Sequence, residues 1–575
     1  SENSEAALAL SSDSTPESTG IYNRFARLTI TGSGDGTTFR IQDAASIALN
    51  HIPNTAGSPV DYSLVTTSLN VPANAPSPLD MQFDVSIVDD ALVEADELFA
   101  VSFGAITGNG SLSSSGSHMV TITENDSASV SFTTASGSVA EGGGTYNAVA
   151  QLDLTTTGTG TPGLQVPAIL SVGTAGSATF GPDYSLAPIV IFTPADADGA
   201  TFNVVINIVQ DPIDETDETI DLTLSPSAPV TIGAQATHTV TIIDDDTSAV
   251  IVTESGGTTA VTEGGTLDLF DVVLATQPTA PVNVALTFDS QIEVSTDGIN
   301  YFPSPVNLFF TPGDWNVTRT VTVQAVNDTV VEGPHASLIA LDTTSGDLNY
   351  NLIATADVNV SITDNDTAEV IFASAGFSAI EGALFSPGMT LKVTANGAPG
   401  GTIAAPITVN AAIVLGTAEA SDAILLTAVD TFPAGSVHDT VSMGISIQIV
   451  DDLIVERTED FTANLSIGSG QATTSASNVY QINSDDTAAI SYSAPNSSAP
   501  EATTPHSATA LLTLGGTGSG AASIEEAISA VITEAAGTAT TPADYTLTTT
   551  SISFPAGSLN AATAPVSSTI VNDAL

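Results

Sequence analysis

Apolar and polar residues alternate along most of this chain in short runs. In the segments 202–208 and 319–325, apolar residues recur at every second position. A period of two is typical of β-strands with one buried face. Gly, Pro, Asn, Asp, Ser and Thr interrupt the alternation roughly every 8–12 residues. Long runs with the helical period are absent, so the pattern predicts an all-β protein.

The pattern is also repeated. An acidic triplet that closes a predicted strand ends at Asp126, Asp246, Asp366 and Asp486, each 120 residues after the one before. Two further markers are in phase with it. Asp-x-x-x-Glu segments start at Asp90, Asp211, Asp328 and Asp452, and an aromatic-Pro turn starts at Phe192, Phe310, Phe432 and Phe554. Fixed spacing of several markers predicts a tandem array.

The markers divide the chain into five repeats, 1–126, 127–246, 247–366, 367–486 and a truncated 487–575. A complete repeat has room for about seven short strands, which predicts a seven-stranded antiparallel Ig-like β-sandwich. The last acid of one repeat leads directly into the first strand of the next, and such short linkers favour a stiff array.

The two ends suggest how the chain is used. The fifth repeat stops soon after its Asp motif begins, and residues 1–6 resemble the repeat junction at 123–128. We therefore expect the chain to be a window from a longer array. The alternative is that another subunit completes the fifth repeat by donating strands.

Charge narrows the choice of partners. The chain has 64 Asp and Glu against 6 Lys and Arg, a net charge of −58, and no Cys. This balance excludes nucleic acid and anionic membrane surfaces as partners. Disulfides and thiolate metal sites are also excluded. Without an apolar run of about 18 residues, no direct membrane insertion is predicted. The acids serve either solubility or cation binding.

The placement of the acids favours a cation. They lie where predicted strands end, so the turns of a sandwich would gather them at one end, which we call the pole. Two carboxylates about 4 Å apart repel by roughly 4 kcal/mol at an effective dielectric near 20. Sites made only of oxygen suit a hard ion such as calcium (Ca²⁺). The competing interpretation, that each acid caps a turn or faces water, does not account for the repetition in phase.

Together these markers resemble the Calx-beta domain, a family named after regulatory domains of sodium–calcium exchangers and also found in tandem in bacterial surface proteins. The resemblance implies a seven-stranded sandwich with a calcium cluster at one pole. The implied calcium ligands of the first two repeats are Glu17, Asp61, Asp90, Glu94, Glu97, Glu124, Asp126, Glu141, Asp183, Asp211, Glu215, Glu218, Asp244, Asp245 and Asp246. Those of the next two are Glu263, Asp328, Glu332, Asp364, Asp366, Glu381, Asp452, Glu456, Glu459, Asp485 and Asp486, with Asp422 as a looser match.

Three repeats depart from the pattern. In the third, His335 replaces the last Glu, Asn365 lies in the triplet, and Asp297 is only a tentative partner, so we expect fewer or weaker ions. In the fourth, Ser484 replaces the first acid of the triplet. The fifth keeps Glu501, Asp544 and Asp573, which cannot complete a site within this chain.

Catalysis is not expected. Of the six His residues, only His118 and His238 occupy equivalent repeat positions, and no Ser-His-Asp set stands out. We predict a secreted, cell-surface, calcium-stiffened rod that is part of an adhesin, surface fibre or matrix filament. Its partners would be calcium ions and either further copies of itself or a surface ligand. The alternatives are a homopolymeric filament subunit joined by strand donation and a calcium-sensing regulatory module.

Overall fold

The structure is a computed structural model that describes residues 5–9, 12–31, 40–108, 111, 116–501 and 503–573. Of the segment 1–6 compared above with 123–128, residues 1–4 lie outside this part. The described residues form strands and three short 3-10 helices, Glu17–Thr19, Glu141–Gly143 and Ser255–Gly257. None of their helices has the length and apolar character needed to cross a membrane.

The chain divides into two compact units, Ser1–Ser248 with Thr276–Thr279, and Ala249–Ala275 with Ala280–Leu575. In the first repeat, strands β1 to β10 are Glu5–Ala9, Asp13–Pro16, Ile21–Thr31, Ala45–Pro53, Tyr62–Leu64, Ser68–Val71, Leu79–Ile87, Asp90–Val93, Glu97–Thr107 and Ser117–Thr123. In the second, β11 to β21 are Ser127–Phe132, Ser136–Ala140, Thr145–Thr155, Thr159–Leu164, Ala168–Ala175, Tyr184–Leu186, Ile189–Phe192, Thr201–Ile208, Glu218–Pro226, Thr231–Ile232 and Thr237–Ile243.

The second unit holds the other three repeats. In the third repeat, β22 to β31 are Val250–Glu254, Thr259–Thr262, Asp268–Leu274, Val282–Thr287, Ile292–Ser295, Val306–Phe310, Arg319–Ala325, Val330–Val331, His335–Ser345 and Val358–Thr363. In the fourth, β32 to β45 are Thr367–Phe372, Ser378–Ile380, Leu384–Phe385, Met389–Ala395, Ala398–Pro399, Thr402–Ile403, Ile407–Leu415, Ala423–Thr427, Val429–Phe432, Val441–Ser442, Ser446–Ile449, Asp452–Val455, Glu459–Ser469 and Ser477–Asn483. In the fifth, β46 to β52 are Thr487–Tyr492, His506–Gly515, Ser519–Ile524, Ile528–Val531, Tyr545–Leu547, Ser551–Phe554 and Thr563–Ile570.

Each of the first four repeats contains one five-stranded sheet of the same order: β2-β10-β9-β4-β6, β12-β21-β19-β15-β17, β23-β31-β30-β25-β27 and β33-β45-β44-β38-β40. The other sheet is β1-β3-β7-β5, β16-β18-β13-β11-β20 or β22-β24-β28-β26 in the first three repeats. In the fourth repeat it is divided into β32-β35-β36, with β41 paired to β35, and β34-β42-β39. The fifth repeat has β46-β47-β52-β50 and β49-β51 among its described residues. The predicted all-β tandem array of Ig-like sandwiches is confirmed.

The first strand of each complete repeat is split between the two sheets. In the first repeat, β1 pairs antiparallel with β3, whereas β2 pairs in parallel with β10 of the other sheet. This division and the short edge strands give ten strands in the described part of the first repeat, where the sequence predicted seven. Because β2 and β10 are parallel, both strands end at the same edge of the sheet, and the residues that follow them lie at the same pole.

The aromatic-Pro marker supplies the core. Each of its Phe residues ends a strand and is at most 2% exposed: Phe192, Phe310, Phe432 and Phe554. Burying a Phe side chain stabilises a fold by about 1.5–3 kcal/mol relative to leaving it exposed. The following Pro cannot donate to a strand ladder, so the strand stops there. The marker therefore identifies the buried end of a strand in each of the second to fifth repeats.

Consecutive repeats within a unit are joined by parallel strand pairs, β8 with β14, β29 with β37, and β43 with β48. The last residue of each donor strand is apolar. Val93 and Val331 are buried in the core of the following repeat, and Val455 packs against the next core. The second repeat has Asp214 at this position, and it accepts a hydrogen bond from the Ser248 amide (2.7 Å).

Candidate metal centre

The parallel strand pair fixes the first two acids of each pole. In the second repeat, Ala140 of β12 is the register partner of Ile243 of β21, so Glu141 and Asp244 leave neighbouring strands side by side. The equivalent pairs in the other complete repeats are Pro16 with Thr123, Thr262 with Thr363, and Ile380 with Asn483. Glu17 is thereby placed beside Glu124, Glu263 beside Asp364, and Glu381 beside Ser484.

The antiparallel neighbour adds a third position. Glu97, Glu218 and Glu459 each begin a strand opposite Ile122, Ile242 and Ile482, which lie two residues before the triplet. His335 has the same register with Ile362, so it occupies the position of these Glu residues. The sequence prediction that His335 replaces the last Glu of the motif is therefore confirmed by its position in the fold.

The Asp-x-x-x-Glu segment is held against these strands by hydrogen bonds. The Asp90 amide donates to Glu17 Oε1 (3.1 Å), and the Asp211 amide donates to Glu141 Oε1 (3.0 Å). The Glu94 amide donates to Glu124 Oε2 (2.7 Å). Each of these bonds uses one carboxylate oxygen to fix the loop.

A fourth position comes from the turn before a short edge strand. The carbonyl oxygens of Asp61, Asp183 and Asp422 each accept a hydrogen bond from a Val amide at 2.9 Å, from Val88, Val209 and Val450 respectively. The looser sequence match, Asp422, therefore takes the same place as the other two. In the third repeat the carbonyl of Gln291 accepts the equivalent bond from Val326 (2.9 Å).

The tentative prediction that Asp297 contributes to the third pole was wrong. Its side chain lies in the turn after β26, where it accepts hydrogen bonds from the amides of Ile299 (2.8 Å) and Asn300 (2.7 Å). These bonds, with Asn300 first, hold the pKa of its carboxyl well below the ordinary range. Asp297 is satisfied within its own hairpin, and the amide side chain of Gln291 takes the position at the pole.

Many of the acids at the poles are buried. Among the described residues thirteen acidic side chains are buried, and twelve of them are site positions: Glu17, Asp61, Glu94, Glu97, Asp126, Glu141, Glu263, Asp366, Glu381, Asp422, Glu459 and Asp486. Acidic residues are almost never fully buried unless they are paired. The chain supplies few cations to pair with them, because Lys and Arg total 6.

Burial raises the pKa of many of the carboxyls at the poles, and the charges of neighbouring acids raise it further. The pKa is raised to about 7 for Glu17, Glu141, Glu263 and Glu381, and to about 8 for Glu94 and Glu456. The pKa of Asp486 is raised to about 6, and burial also raises the pKa of Glu97, Glu218 and Glu459. Each pole is therefore costly to ionise without a compensating positive charge.

Several carboxylate oxygens in these clusters are buried without any hydrogen-bond partner. In the described part of the chain there are ten: one each on Glu97, Asp126, Asp244, Glu263, Asp366 and Glu459, and two each on Glu381 and Asp486. A buried acceptor without a partner costs about 1–3 kcal/mol, and more when it is charged. Every one of these oxygens belongs to a predicted site residue.

The grouping of the oxygens fits calcium. Ligand atoms lie within 4.8 Å of one another in three all-carboxylate groups of the first two repeats: Asp61, Asp90 and Glu94; Glu141, Asp244 and Asp246; and Asp183, Glu215 and Glu218. The second repeat thus holds two separate groups. Calcium takes six to eight oxygen ligands in flexible geometry, so the donor chemistry of these residues matches it. As calcium ligands, the individual residues stay predictions.

The middle residue of each triplet points outward. Asn125, Asp245, Asn365 and Asp485 are exposed, while the last acids, Asp126 and Asp486, are buried. Gln210 Nε2 donates to Asp245 Oδ1 (3.3 Å), and Thr517 Oγ1 donates to Asp485 Oδ2 (3.1 Å). Asp245 and Asp485 therefore lie on the rim of their poles.

Residues of the following repeat complete the pole, and the sequence reasoning missed them. The Thr157 amide donates to Asp126 Oδ1 (2.7 Å), and Gln165 Nε2 donates to Glu94 Oε1 (2.6 Å). In the fourth junction the Glu525 amide donates to the Val455 carbonyl (3.2 Å), as the Gln165 amide does to Val93 (3.1 Å). The missed signal is a Thr-Gly-x-Gly sequence that recurs at Thr157 and Thr517.

Comparison with known proteins gives the same family. The profile of the Calx-beta domain matches residues 37–127, 124–246, 245–366, 399–489 and 519–574. A search of the curated proteins found no match. Similar solved structures include an apo-form Calx CBD1 domain, with 24% identity, 21% of this chain and 98% of that chain covered, and a TM-score of 0.17. Another is CBD12 of CALX1.2, with 15% identity, 40% of this chain and 96% of that chain covered, and a TM-score of 0.18. A third is the calcium binding domain CBD12 of CALX1.1, with 15% identity, 41% of this chain and 99% of that chain covered, and a TM-score of 0.19. With five matched segments covering most of its length, this chain is a tandem array of Calx-beta domains and belongs to that family.

Proposed function

We propose that this chain is a non-enzymatic, calcium-stiffened structural array of an extracellular protein, forming part of an adhesin, a surface fibre or a matrix filament. The family consists of calcium-binding modules, which supports the calcium part of the proposal. An acidic cluster recurs at the same place in every complete repeat, although its members vary, which suits a cumulative structural role better than a single active centre.

One observation carries the mechanism: in the first, third and fourth repeats, the acidic loop contains the strand that pairs with the next repeat. In the first repeat, Val93 inserts into the core of the second, and the adjacent Glu94 is a site residue. An ion held by Asp90 and Glu94 would fix both ends of that strand. Calcium would then order the site and the junction together.

The expected energetic effect is large. A site gains about 2.7 kcal/mol when free calcium is 100 times its dissociation constant. The summed binding free energy of several sites would be comparable with the 5–15 kcal/mol stability of a typical domain. Such an array would stay loose where free calcium is scarce and become ordered outside the cell, and this is the basis for proposing an extracellular location.

Small-angle X-ray scattering of the full chain tests the proposal. Calcium should narrow the distribution of interdomain distances, and chelation should broaden it, with magnesium at equal ionic strength as the control. Scattering that is unchanged by calcium would refute stiffening. The alternatives make other predictions: a strand-donating filament would sediment as concentration-dependent polymers, and a sensor would bind calcium at cytosolic concentrations.

A further inference from the structure

The third pole differs from the others in the type of ligand atom that it offers. His335 begins β30 at the register where the other complete repeats have Glu, and Gln291 takes the position of Asp61. The third repeat therefore lacks two carboxylates that the poles of the first, second and fourth repeats share. In their place it gains one imidazole and one amide.

The imidazole of His335 is oriented by its own loop. Its Nδ1 lies 2.8 Å from the carbonyl oxygen of Gly333. A carbonyl can only accept, so Nδ1 carries the hydrogen and donates it. In the neutral ring this leaves the lone pair on Nε2. Metal-ligating His residues have this arrangement, in which one ring nitrogen donates to a carbonyl and the other binds the ion.

The Nε2 atom of His335 lies near two carboxylates. Its Nε2 is buried without a hydrogen-bond partner and lies 3.4 Å from Glu332 Oε2. Glu263 is 3% exposed, and its Oε2 also has no partner. Ligand atoms of Glu263, Glu332 and His335 lie within 4.8 Å of one another. Two independent observations, an unpartnered buried carboxylate and an oriented imidazole, therefore point into the same small space.

Gln291 supports this group. Its Nε2 donates to both carboxylate oxygens of Glu332, at 2.9 and 2.8 Å, and so fixes the plane of that carboxylate. Outer hydrogen bonds of this kind orient metal-binding carboxylates. The Asp residues at the equivalent position would add negative charge, whereas the Gln amide adds none.

We propose that Glu263, Glu332 and His335 form a binding site for a borderline divalent transition-metal ion, specifically Zn²⁺. Imidazole nitrogen suits zinc, whereas calcium takes oxygen ligands. Two carboxylates neutralise the divalent charge, and three protein ligands with a solvent ligand satisfy zinc's preference for four. The neighbouring group of Glu263, Asp364 and Asp366 is all oxygen and stays suited to calcium. The third repeat would thus carry a second metal specificity beyond the proposed calcium function.

Calcium-saturated full chain is the right material for the test, because calcium occupies the all-oxygen poles. Isothermal titration with Zn²⁺ should then give one tight site per chain. Co²⁺ in place of Zn²⁺ should give visible absorption bands of a nitrogen-containing site. The His335→Gln and His335→Glu variants should lose both signals, and His506→Gln, which alters a His bonded to Ser497 in the fifth repeat, should keep them.

The single Trp of the chain, Trp315, packs against the core of the third repeat and shows whether each variant is folded. Absence of zinc binding in the calcium-saturated chain would overturn the proposal. Equal zinc binding by a folded His335→Gln variant would also overturn it, and a protonated His335 paired with Glu332 would then explain the contact. Failure of calcium stabilisation in the other repeats would refute the proposed function, while the loss of the Co²⁺ bands in the His335 variants would still test the zinc site.

Discussion

Ala140 lies directly opposite Ile243 in the parallel pair of β12 and β21, and this register places Glu141 beside Asp244. Antiparallel neighbours would carry the two acids to opposite ends of the sandwich. The same parallel pairing occurs in all four complete repeats. The clustering of carboxylates at one pole is therefore a consequence of topology.

Glu141→Gln should have opposite effects with and without calcium. In the chelated chain the change removes a buried carboxylate whose pKa is raised to about 7, so the melting temperature at pH 8 should rise. With calcium it removes a ligand, so the melting temperature should fall. A change of 1 kcal/mol corresponds to roughly 4 °C for a domain of this size. The control is Asp153→Asn, an exposed position on β13, which should alter neither melt. Shifts of the same sign under both conditions would contradict the metal role of Glu141.

The chelated chain should become less stable as the pH rises. The pKa values of Glu17 and Glu94 are raised to about 7 and 8 in the folded state, against 4.5 for an ordinary Glu. Between pH 5 and 8 the folded state therefore binds more protons than the unfolded state, and its stability is lost across that window. Calcium favours the ionised carboxylates, so the calcium-bound chain should lose stability as the pH falls instead. Melting temperatures at three pH values with calcium and with chelator check this. A chelated chain that gains stability between pH 5 and 8 would show that the acids are not held in unfavourable clusters.

Two glycines in the segment after β13 allow the effect of backbone strain to be compared with the effect of the contact between repeats. A Cβ on Gly158 would lie 2.3 Å from the Asp90 carbonyl oxygen and 2.5 Å from that of Asp89, whereas a Cβ on Gly160 would meet open space. Both residues have positive φ, +75° and +117°, so Ala at either position is strained. Only Gly158→Ala should displace the acidic loop, weakening calcium binding by the first pole about tenfold, or roughly 1.4 kcal/mol. Calcium titration of both variants gives the comparison, and equal losses would mean that the junction does not organise the site.

The third repeat should respond least to calcium, because Gln291 and His335 replace two acids there. Trp315 reports unfolding of this repeat alone, whereas circular dichroism follows all the strands. Calcium should therefore raise the transition seen by Trp315 fluorescence less than the main transition seen by circular dichroism. An equal or larger rise at Trp315 would indicate that the third pole binds calcium as well as the others do.

The repeat structure could be predicted from the sequence because its markers are local. Phe192 and its equivalents end buried strands, and the period of two identified the strands around them. The register between distant strands could not be predicted, since nothing in the sequence near Ala140 says that it pairs with Ile243. Asp297 was only a tentative partner in the sequence, and the structure shows that its own turn satisfies it. Gln165 and Gly158 were missed because their role depends on contact with the preceding repeat.

The most direct test of the structural calcium poles is calorimetry of the full chain with calcium and with chelator, compared with an Asp211→Asn, Glu215→Gln double variant. We predict that calcium raises the wild-type transitions by about 10 °C, from roughly 2.7 kcal/mol per site. In the double variant, one component, from the second repeat, should stay near its chelated position. A wild-type profile that calcium leaves unchanged, or a double variant that responds as the wild type does, would contradict the account.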